Sequence, residues 1–513
     1  TQTTVNSGAT LGGIGTVGRT TIASGGFLAP GNSIGTLTVS GNLTFAPGSA
    51  YIVEVSPTAS DRTNVTGTAA LAGSVNALWG AGSYVARQYT ILNATGGVSG
   101  TFTGPVNTNL PSGFLASLSY DANNAYLNLA AAFTPPSVSS TVNGFNSVSA
   151  LSRAFAAGTP IPVASGGLTA TGANQIAGQL QVASLGQIIQ AQENVASIGS
   201  CRVYDGVVPG GKAAGSAPST SGGDDGRICA DGAEGWSVWL GAFAGRQKFD
   251  GAAAIGSQDV KGTRYGLSGG AAYSFGETTL GVSVSGGWND FDLAGVYGSA
   301  DATFVQVGVS GFHEIGKAYV QGGVSYGWHN IDTDRTLTIS GVDRLQSSFK
   351  AKSVGARAEA GWRFGLEQGV LAPFAAIQLA HASLPTVSER VASGSNQFAL
   401  TFNAKSTSEW RSELGVKGAK AVALGGANVL LGGGAAWGHN FDVDRSSTAS
   451  FTGVAGSTFT VFGAAPGANL ALLSGTAQVQ LPKGWSLNLG ANGELSGASQ
   501  VYGGRIALEW KFN

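Results

Sequence analysis

The chain of 513 residues has no methionine, only two cysteines and few charged residues. Its formal net charge of −1 gives no electrostatic reason to expect nucleic acid or an acidic surface as a partner. No stretch approaches the roughly 20 consecutive apolar residues of a membrane-spanning helix. No initiator methionine and no basic-then-apolar leader begin the chain, so we expect a processed or truncated piece of a longer protein.

Glycine and aromatic residues are abundant instead, with 82 Gly, 23 Phe, 12 Tyr and 10 Trp. An apolar, glycine-rich chain without long apolar helices is typical of short alternating strands, and we expect an all-β fold.

The last strand of the chain, Val501 to Phe512, has two different faces. Successive side chains of a strand point to opposite sides of a sheet. One face is apolar, and its members are Tyr502, Gly504, Ile506, Leu508, Trp510 and Phe512. The other face carries Arg505, Glu509 and Lys511. The pattern fits a half-buried strand of a soluble sheet, or a transmembrane strand with one face on lipid and one on a wet lumen.

The strands from Trp236 onward favour the membrane interpretation. Their inner parity is charged at Arg357, Glu359 and Arg363 and again at Arg411 and Glu413, which a soluble sandwich would bury at high cost. Short turns alternate with long polar stretches near 249–260, 290–302, 329–349, 382–397, 441–458 and 494–500. This alternation predicts an up-and-down barrel of twelve antiparallel strands, from Trp236–Phe249 to Val501–Phe512.

The first 132 residues are repetitive. Leu11 recurs as Leu28, and Leu28–Gly31 recurs as Phe45–Gly48, each 17 positions later. A short fixed period with one apolar anchor per repeat is typical of a solenoid. Residues 1–132 are therefore predicted to be the last rungs and cap of a parallel β-helix, with a small β-sandwich as the alternative.

Residues 133–234 connect these regions. A Ser/Gly/Pro/Ala-rich run to about 171 is typical of a linker. Residues 172–200 alternate Ile, Leu and Val with many Gln and predict a helix of about 40 Å, long enough to cross a bilayer. Its glutamines suit a polar lumen, so we expect it inside the barrel with its amino end outward and its carboxyl end at the periplasm. Cys201 and Cys229 bracket a flexible insert and indicate a disulfide in an oxidising compartment, or else two free thiols.

Motifs that suggest chemistry are weak. Gly13–Gly18 matches GxGxxG without a strand–helix unit, and three GxSxG matches in a Gly/Ser-rich chain are expected by chance. The four histidines are scattered. We predict no catalytic, cofactor or metal site and no enzymatic activity. The lumenal residues are interpreted as a solvated lining that bonds the helix, with a proton relay or self-cleavage site as the alternative. They are Arg357, Glu359, Arg363, Arg411, Glu413, Arg505 and Glu509.

Three stretches carry a family resemblance. Leu28–Leu37 is similar to the end of autotransporter passengers, Gly235–Gly251 to the first barrel strand of these proteins, and Trp510–Phe512 to their aromatic C-terminal assembly signal, here with Tyr502. The chain thus resembles the C-terminal part of a monomeric autotransporter of the type V secretion class. The departures are Asn513 after the final aromatic and a longer link before the barrel.

The resemblance implies a β-helical passenger segment (1–132), a linker with a pore helix (133–234) and a translocator barrel (235–513). It implies that the barrel exports and anchors its own passenger at the surface of a Gram-negative bacterium. Implied partners are outer-membrane lipid, the barrel-assembly machinery and periplasmic chaperones, with the barrel a monomer. The alternatives are a surface adhesin anchored by the barrel and an enzyme in an upstream passenger.

Overall fold

The computed structural model describes residues 1–131, 141–193 and 234–512, except 296, 367–368 and 425–426. The chain divides into two compact units. Unit 1 is Thr1–Ala177 with Thr338–Val342 and Ser450–Phe459, and unit 2 is Gly178–Leu337, Asp343–Ala449 and Thr460–Asn513. Within the described ranges, we find no helix that is both long and apolar enough to cross a bilayer.

Short strands make up most of unit 1. They are β1 (Gln2–Val5), β2 (Thr10–Gly13), β3 (Thr16–Val17), β4 (Arg19–Ile22), β5 (Phe27–Pro30), β6 (Thr36–Val39), β7 (Leu43–Phe45), β8 (Ala50–Val55), β9 (Arg62–Val65), β10 (Ala69–Leu71), β11 (Ser74–Trp79), β12 (Ser83–Tyr84), β13 (Arg87–Ala94), β14 (Val98–Gly100), β15 (Asn107–Thr108), β16 (Phe114–Tyr120), β17 (Asn124–Ala131) and β18 (Ile161–Pro162).

Sixteen of these strands form three sheets, with orders β1-β4-β7-β10-β14, β2-β5-β8-β11-β15 and β3-β6-β9-β13-β17-β16, and β12 pairs with β18 in a small antiparallel sheet. Pairing is parallel within the three large sheets except where β17 runs antiparallel to β13 and β16. Each pass of the chain from β1 to β13 adds one strand to each of the three large sheets, which is the connectivity of a parallel β-helix. Apolar side chains such as Leu28, Leu37 and Tyr51 are buried between the sheets.

The 17-residue repeat holds for only one step. Leu11 pairs with Leu28, as expected. Leu28, however, pairs with Tyr51, while Phe45 pairs with Ile22, so the second sequence repeat is not a structural one. The chain between β5 and β6 is longer than that between β2 and β3. It is held by the Asp61 carboxylate, whose Oδ1 accepts the Gly35 N–H at 2.8 Å. This longer connection lengthens the second pass.

The predicted linker is helical in part, which corrects the expectation for 133–171. Helix α1 (Val142–Ala156) begins at Thr141, whose hydroxyl accepts the Gly144 N–H at 3.2 Å. Its apolar face, including Phe155, is buried, with Phe155 edge-on to Phe114 at 5.7 Å. The Ser- and Ala-rich sequence hides this face because small residues separate its few large apolar members. A short 3₁₀ turn follows at Val163–Gly167.

The predicted helix at 172–200 is two helices over the described residues. Helix α2 (Ala170–Ala177) and helix α3 (Leu180–Glu193) are separated at Gly178. Gly178 has a φ of +67°, a conformation that favours glycine and ends a helix. Residues 194–200 lie outside the described part of the chain, as do Cys201 and Cys229, so their disulfide stays a prediction.

A closed antiparallel barrel of twelve strands dominates unit 2 among the residues described. Its strands are β19 (Gly235–Phe249), β20 (Val260–Phe275), β21 (Thr278–Leu293), β22 (Ser299–Ile315), β23 (Ala318–Leu337), β24 (Asp343–Trp362), β26 (Gly369–Leu384), β30 (Lys405–Leu424), β31 (Ala427–Asn440), β34 (Asn469–Gln480), β35 (Trp485–Leu495) and β36 (Ser499–Phe512). β36 pairs with β19 from Trp236↔Phe512 to Phe249↔Ser499 and closes the ring. This confirms the predicted fold class.

Connections alternate in length. We call the barrel end with short connections the turn end and the end with long connections the loop end. The strands run further than predicted at the loop end: β23 and β24 meet at 338–342, where a long stretch of 329–349 was expected. Their polar outward residues still pair in register, because backbone hydrogen bonding between strands does not require an apolar face.

Shorter elements in the connections are β25 (Phe364–Leu366), β27 (Val387–Ser388), β28 (Arg390–Ser393), β29 (Leu400–Phe402), β32 (Ser446–Phe451), β33 (Phe459–Phe462) and a 3₁₀ turn at Pro482–Gly484.

The outward face of the barrel is apolar with aromatics at both edges, as a lipid-facing surface should be. Aliphatic side chains such as Leu240 and Val282 are largely exposed between the edges. The exposed tryptophans nearer the loop end are Trp288, Trp328, Trp410 and Trp437, and those nearer the turn end are Trp236, Trp362, Trp485 and Trp510.

Candidate functional site in the barrel lumen

Helix α3 lies inside the barrel, near the loop end. It packs against β22, β23, β24 and β26. Its large apolar side chains join inward-facing apolar residues of the strands in one buried cluster. The helix members of this cluster are Leu180, Ala183, Leu185, Ile188 and Ile189. Burying each large aliphatic side chain contributes about 1.5–3 kcal/mol at most, so the cluster is a substantial part of what holds the helix.

The amino end of α3 is fixed at the loop end of the barrel. The Gln179 side chain donates from Nε2 to Gly256 O at 2.7 Å and accepts the Gln258 N–H at its Oε1 at 2.8 Å. Both partners lie in the long connection between β19 and β20. The chain therefore enters the lumen from the loop end, with the helix pointing toward the turn end.

Two glutamines of α3 bond to neutral strand residues. Gln187 Oε1 accepts from Gln247 and, at 3.3 Å, from Asn289. Gln192 Oε1 accepts from Gln306 and from Ser325, each at 2.6 Å, and its amide donates to Ser353. Because all these groups are buried, each bond satisfies a polar atom that would otherwise destabilise the docked helix.

Near the turn end, four of the charged residues form a neutral cluster. Arg357 bridges Glu359 at 2.8 Å and Glu413 at 2.5 Å, and Lys417 bonds to Glu359 at 2.5 Å. Tyr319 and Gln321 also donate to Glu359, at 2.9 and 2.8 Å. The Glu359 side chain is fully buried, and two cations balance two carboxylates. Such a network fixes the wall of the barrel by satisfying its own charges.

The remaining predicted lining residues stand apart from this cluster. Arg411 bonds to Asn440 at 2.8 Å and pairs with Glu494 at 3.3 Å. Arg363 pairs with Glu314 at 2.8 Å beside a turn.

On β36, Glu509 accepts hydrogen bonds from Ser486 and Asn488 at 3.3 and 3.2 Å, and the Arg505 side chain lies over Gly490 of β35. All seven predicted residues face inward.

The seven charged lining residues were predicted to hydrogen-bond to the helix, but they are not the partners of Gln187 and Gln192. Within the described residues, neutral Gln, Asn and Ser side chains contact these two glutamines. The reason is position: the charged cluster lies closer to the turn end, whereas α3 occupies the loop-end part of the lumen.

A cavity of about 630 Å³ lies beside α3. Its walls are mainly small residues of β19–β21 and β34–β36, among them Ser268, Ser474 and Gly475, with Arg264, Lys417 and Arg505 at its edges. The helix thus occupies one side of the lumen, and space is left on the other.

The comparison with known families decides the identity of the barrel. A model of the autotransporter β-domain family matches residues 238–492. The barrel is an autotransporter β-domain. It is therefore an outer-membrane translocator domain, which confirms the family resemblance and the predicted location in the outer membrane.

Relatives of this chain include two extracellular serine proteases of Serratia marcescens. One is 26% identical over 240 residues, which is 46% of this chain and 22% of the relative. The other is 24% identical over 221 residues, 43% of this chain and 21% of the relative. The chain thus matches about a fifth of the length of these curated relatives.

Solved structures similar to the autotransporter β-domain include three further translocators. The translocator domain of NalP from Neisseria meningitidis is 16% identical, with a TM-score of 0.44 over 54% of this chain and 88% of that one. The β-domain of the Bordetella autotransporter BrkA is 16% identical, with a TM-score of 0.39 over 54% and 99%. The transport unit of AIDA-I from Escherichia coli is 14% identical, with a TM-score of 0.36 over 54% and 90%.

The proposed assembly signal lies on the lipid face of the autotransporter β-domain. Tyr502, Trp510 and Phe512 are exposed outward on β36. Trp510 stacks on Trp485 at 5.7 Å and contacts Phe512 at 4.5 Å. The three aromatics thus stand beside the seam between the last strand and the first.

Lys417 lies on the inner parity with Arg411 and Glu413 in the sequence, although it is not among the seven predicted lining residues. Two further lumenal residues escaped the sequence prediction. Glu314 and Tyr319 flank a two-residue turn, and only the pairing of β22 with β23 shows that they face the lumen. Among the described residues, no group of His, Cys, Asp and Glu is arranged to hold a metal.

Proposed function

We propose that the autotransporter β-domain exports Thr1–Ala177, the amino-terminal part of unit 1, through its lumen and then anchors it at the cell surface. The observation that carries this proposal is the direction of α3. Its amino end is fixed at the loop end and its body lies in the lumen, so the chain that precedes it is drawn through the barrel toward that end. A polar lumen that α3 fills only in part suits passage of an extended polypeptide before the helix docks.

The domain assignment belongs to the same proposal. Residues 1–132 are the end of a β-helical passenger, 133–234 the linker with the pore helix, and 235–513 the translocator. A solenoid suits stepwise export because each rung contacts only its neighbours and can fold as it emerges. Insertion by the barrel-assembly machinery, after escort by periplasmic chaperones, is part of the proposal, as are outer-membrane lipid as the surroundings and a monomeric state.

Transport, rather than catalysis, is the role we assign to this chain. The GxSxG matches at Gly266–Gly270 and Gly323–Gly327 lie within β20 and β23, not on a strand-to-helix elbow, and Gly31–Gly35 is a connection between strands. The name of the Serratia relatives describes proteins of which about a fifth is matched, and we do not extend protease activity to this chain.

The test of export is the accessibility of unit 1 in intact cells. Added protease is expected to digest unit 1 of the full chain without permeabilisation of the outer membrane, while the barrel strands resist. Digestion only after permeabilisation would contradict export.

A matched pair of variants tests the route. Ser474 faces the cavity, and its neighbour Leu473 faces lipid, so the same bulky residue can be placed on either side of β34. Ser474→Trp is expected to slow surface exposure of unit 1, whereas Leu473→Trp is expected to leave it unchanged. Equal rates in both would show that the lumen beside α3 is not the route.

A further inference from the structure

The carboxyl end of α3 is contacted by one buried cation, Arg264 of β20. Its Nη1 donates to the carbonyl oxygen of Ala191, in the last turn of the helix, at 3.0 Å. The side chain is only 9% exposed. Within the described residues, its Nε is buried without an acceptor and no carboxylate pairs with it. Arg264 is unusual in this lumen, where the other buried arginines described above pair with glutamates.

Two aromatic rings flank the guanidinium. Its Cζ lies 4.4 Å from the centre of the Phe304 ring and 5.4 Å from that of Phe243. Both rings face inward, on β22 and β19. Ring faces attract a desolvated cation, so these contacts offset part of the cost of burial.

The helix supplies the rest of the stabilisation. The Ala191 carbonyl oxygen accepts one N–H of the guanidinium, and a hydrogen bond from a charged donor is stronger than one between neutral groups. Without α3, Arg264 would face the open lumen, where water could solvate it. Its buried position therefore has a physical reason only when the helix is docked.

We infer that Arg264 is the positioning residue that fixes the carboxyl end of α3 and keeps the pore closed. This inference rests on the proposed function, in which α3 occupies the lumen once export is complete. Gln192 acts beside it: its side chain bonds to Gln306, Ser325 and Ser353, while Arg264 holds the backbone one residue earlier.

Single-channel recording of the full chain in planar bilayers tests the inference. Arg264→Leu is expected to raise the fraction of time that the pore is open by about tenfold, at the lower end of what a hydrogen bond to a charged group contributes. Arg264→Lys keeps the charge and is expected to restore most of the closure. The control is Lys261→Leu, which removes an outward-facing, exposed cation of the same strand and is expected to leave the open fraction unchanged.

Deletion of 180–193 separates positioning from a general effect on the lumen. In that background Arg264→Leu is expected to have no further effect, because the carbonyl that it holds is gone. An equal effect with and without α3, or an unchanged open fraction in a heat-modifiable Arg264→Leu barrel, would overturn the inference. Should the Leu variant not assemble, Arg264→Gln is measured instead, and an unchanged open fraction there would also overturn it.

Export of unit 1 in the same variants distinguishes the two proposals. Normal surface exposure with an unchanged open fraction would count against the role of Arg264 alone. Absence of surface exposure in the unaltered chain would count against the proposed function.

Discussion

The two halves of the lumen are built differently. Toward the loop end, α3 packs in a cluster of apolar side chains and is bonded by neutral amides and hydroxyls. Toward the turn end, Arg357, Glu359, Glu413 and Lys417 form a neutral network on one wall, and small residues line a cavity on the other. The lumen of this barrel is therefore not uniformly polar. It is apolar where α3 docks, and it is charged where its wall would contact water and a passing chain.

Removing the end of β36 should abolish both halves of the lumen at once, because the barrel that forms them should no longer assemble. Deletion of Trp510–Asn513 takes away two lipid-facing aromatics and part of the pairing with β19, which leaves open strand edges in lipid. We expect no heat-modifiable barrel in the outer membrane on gel electrophoresis. Deletion of Asn513 alone is the control and should leave the barrel intact. A heat-modifiable band from the larger deletion would show that closure does not depend on these residues.

The charged half is tested by Glu359→Ala. The variant leaves Arg357 without one partner and Lys417 without its carboxylate, and breaking a buried pair in this way costs roughly 3–5 kcal/mol. The expected result is a lower temperature of barrel unfolding, read as the loss of heat-modifiable mobility. Glu509→Ala is the control, because Glu509 accepts only from neutral Ser486 and Asn488 among the bonds described here, and its effect should be much smaller. Equal shifts would mean that the network is not a unit.

These two predictions also separate what the sequence could and could not reveal. Strand parity placed Arg357, Glu359 and Glu413 inside, because alternation alone fixes the face of a strand. It could not show that they pair with one another rather than with α3, since that depends on how deep the helix sits. Helix α1 was missed because small residues carry too little apolar pattern to mark a helix. The break at Gly178 was missed because good helix formers flank it on both sides.

The apolar half is tested by Ile188→Val, which removes one methyl group from the cluster around α3. A loss of about 0.5–1.5 kcal/mol in helix docking is expected. Hydrogen exchange of the α3 amides in the folded barrel should become faster, while exchange in β24 stays the same. Ile377→Val on the lipid face is the matched control and should change neither. Unchanged exchange in Ile188→Val would mean that the apolar cluster does not hold the helix.

The smallest effect concerns a carboxylate in water rather than in the lumen. Asp121, in the hairpin between β16 and β17, accepts from Tyr126, Asn123 and Asn124, and these bonds lower its pKa to about 2. A lowered pKa stabilises the hairpin above the ordinary pKa of Asp, and this is lost as the pH falls toward 2. Exchange of the Asn123 and Asn124 amides, relative to their intrinsic rates, should rise over that range in the full chain. In Asp121→Asn this dependence should disappear; its persistence would assign the effect to another group.

The proposed mechanism requires that α3 occupies the lumen from the loop end and closes the exported chain's route. The most direct measurement is single-channel conductance in planar bilayers of the intact chain against a variant without 180–193. The barrel bonds its backbone between its own strands, so it should remain folded and heat-modifiable without the helix. We predict a larger conductance for the variant than for the intact chain. Equal conductance from two folded barrels would contradict the claim.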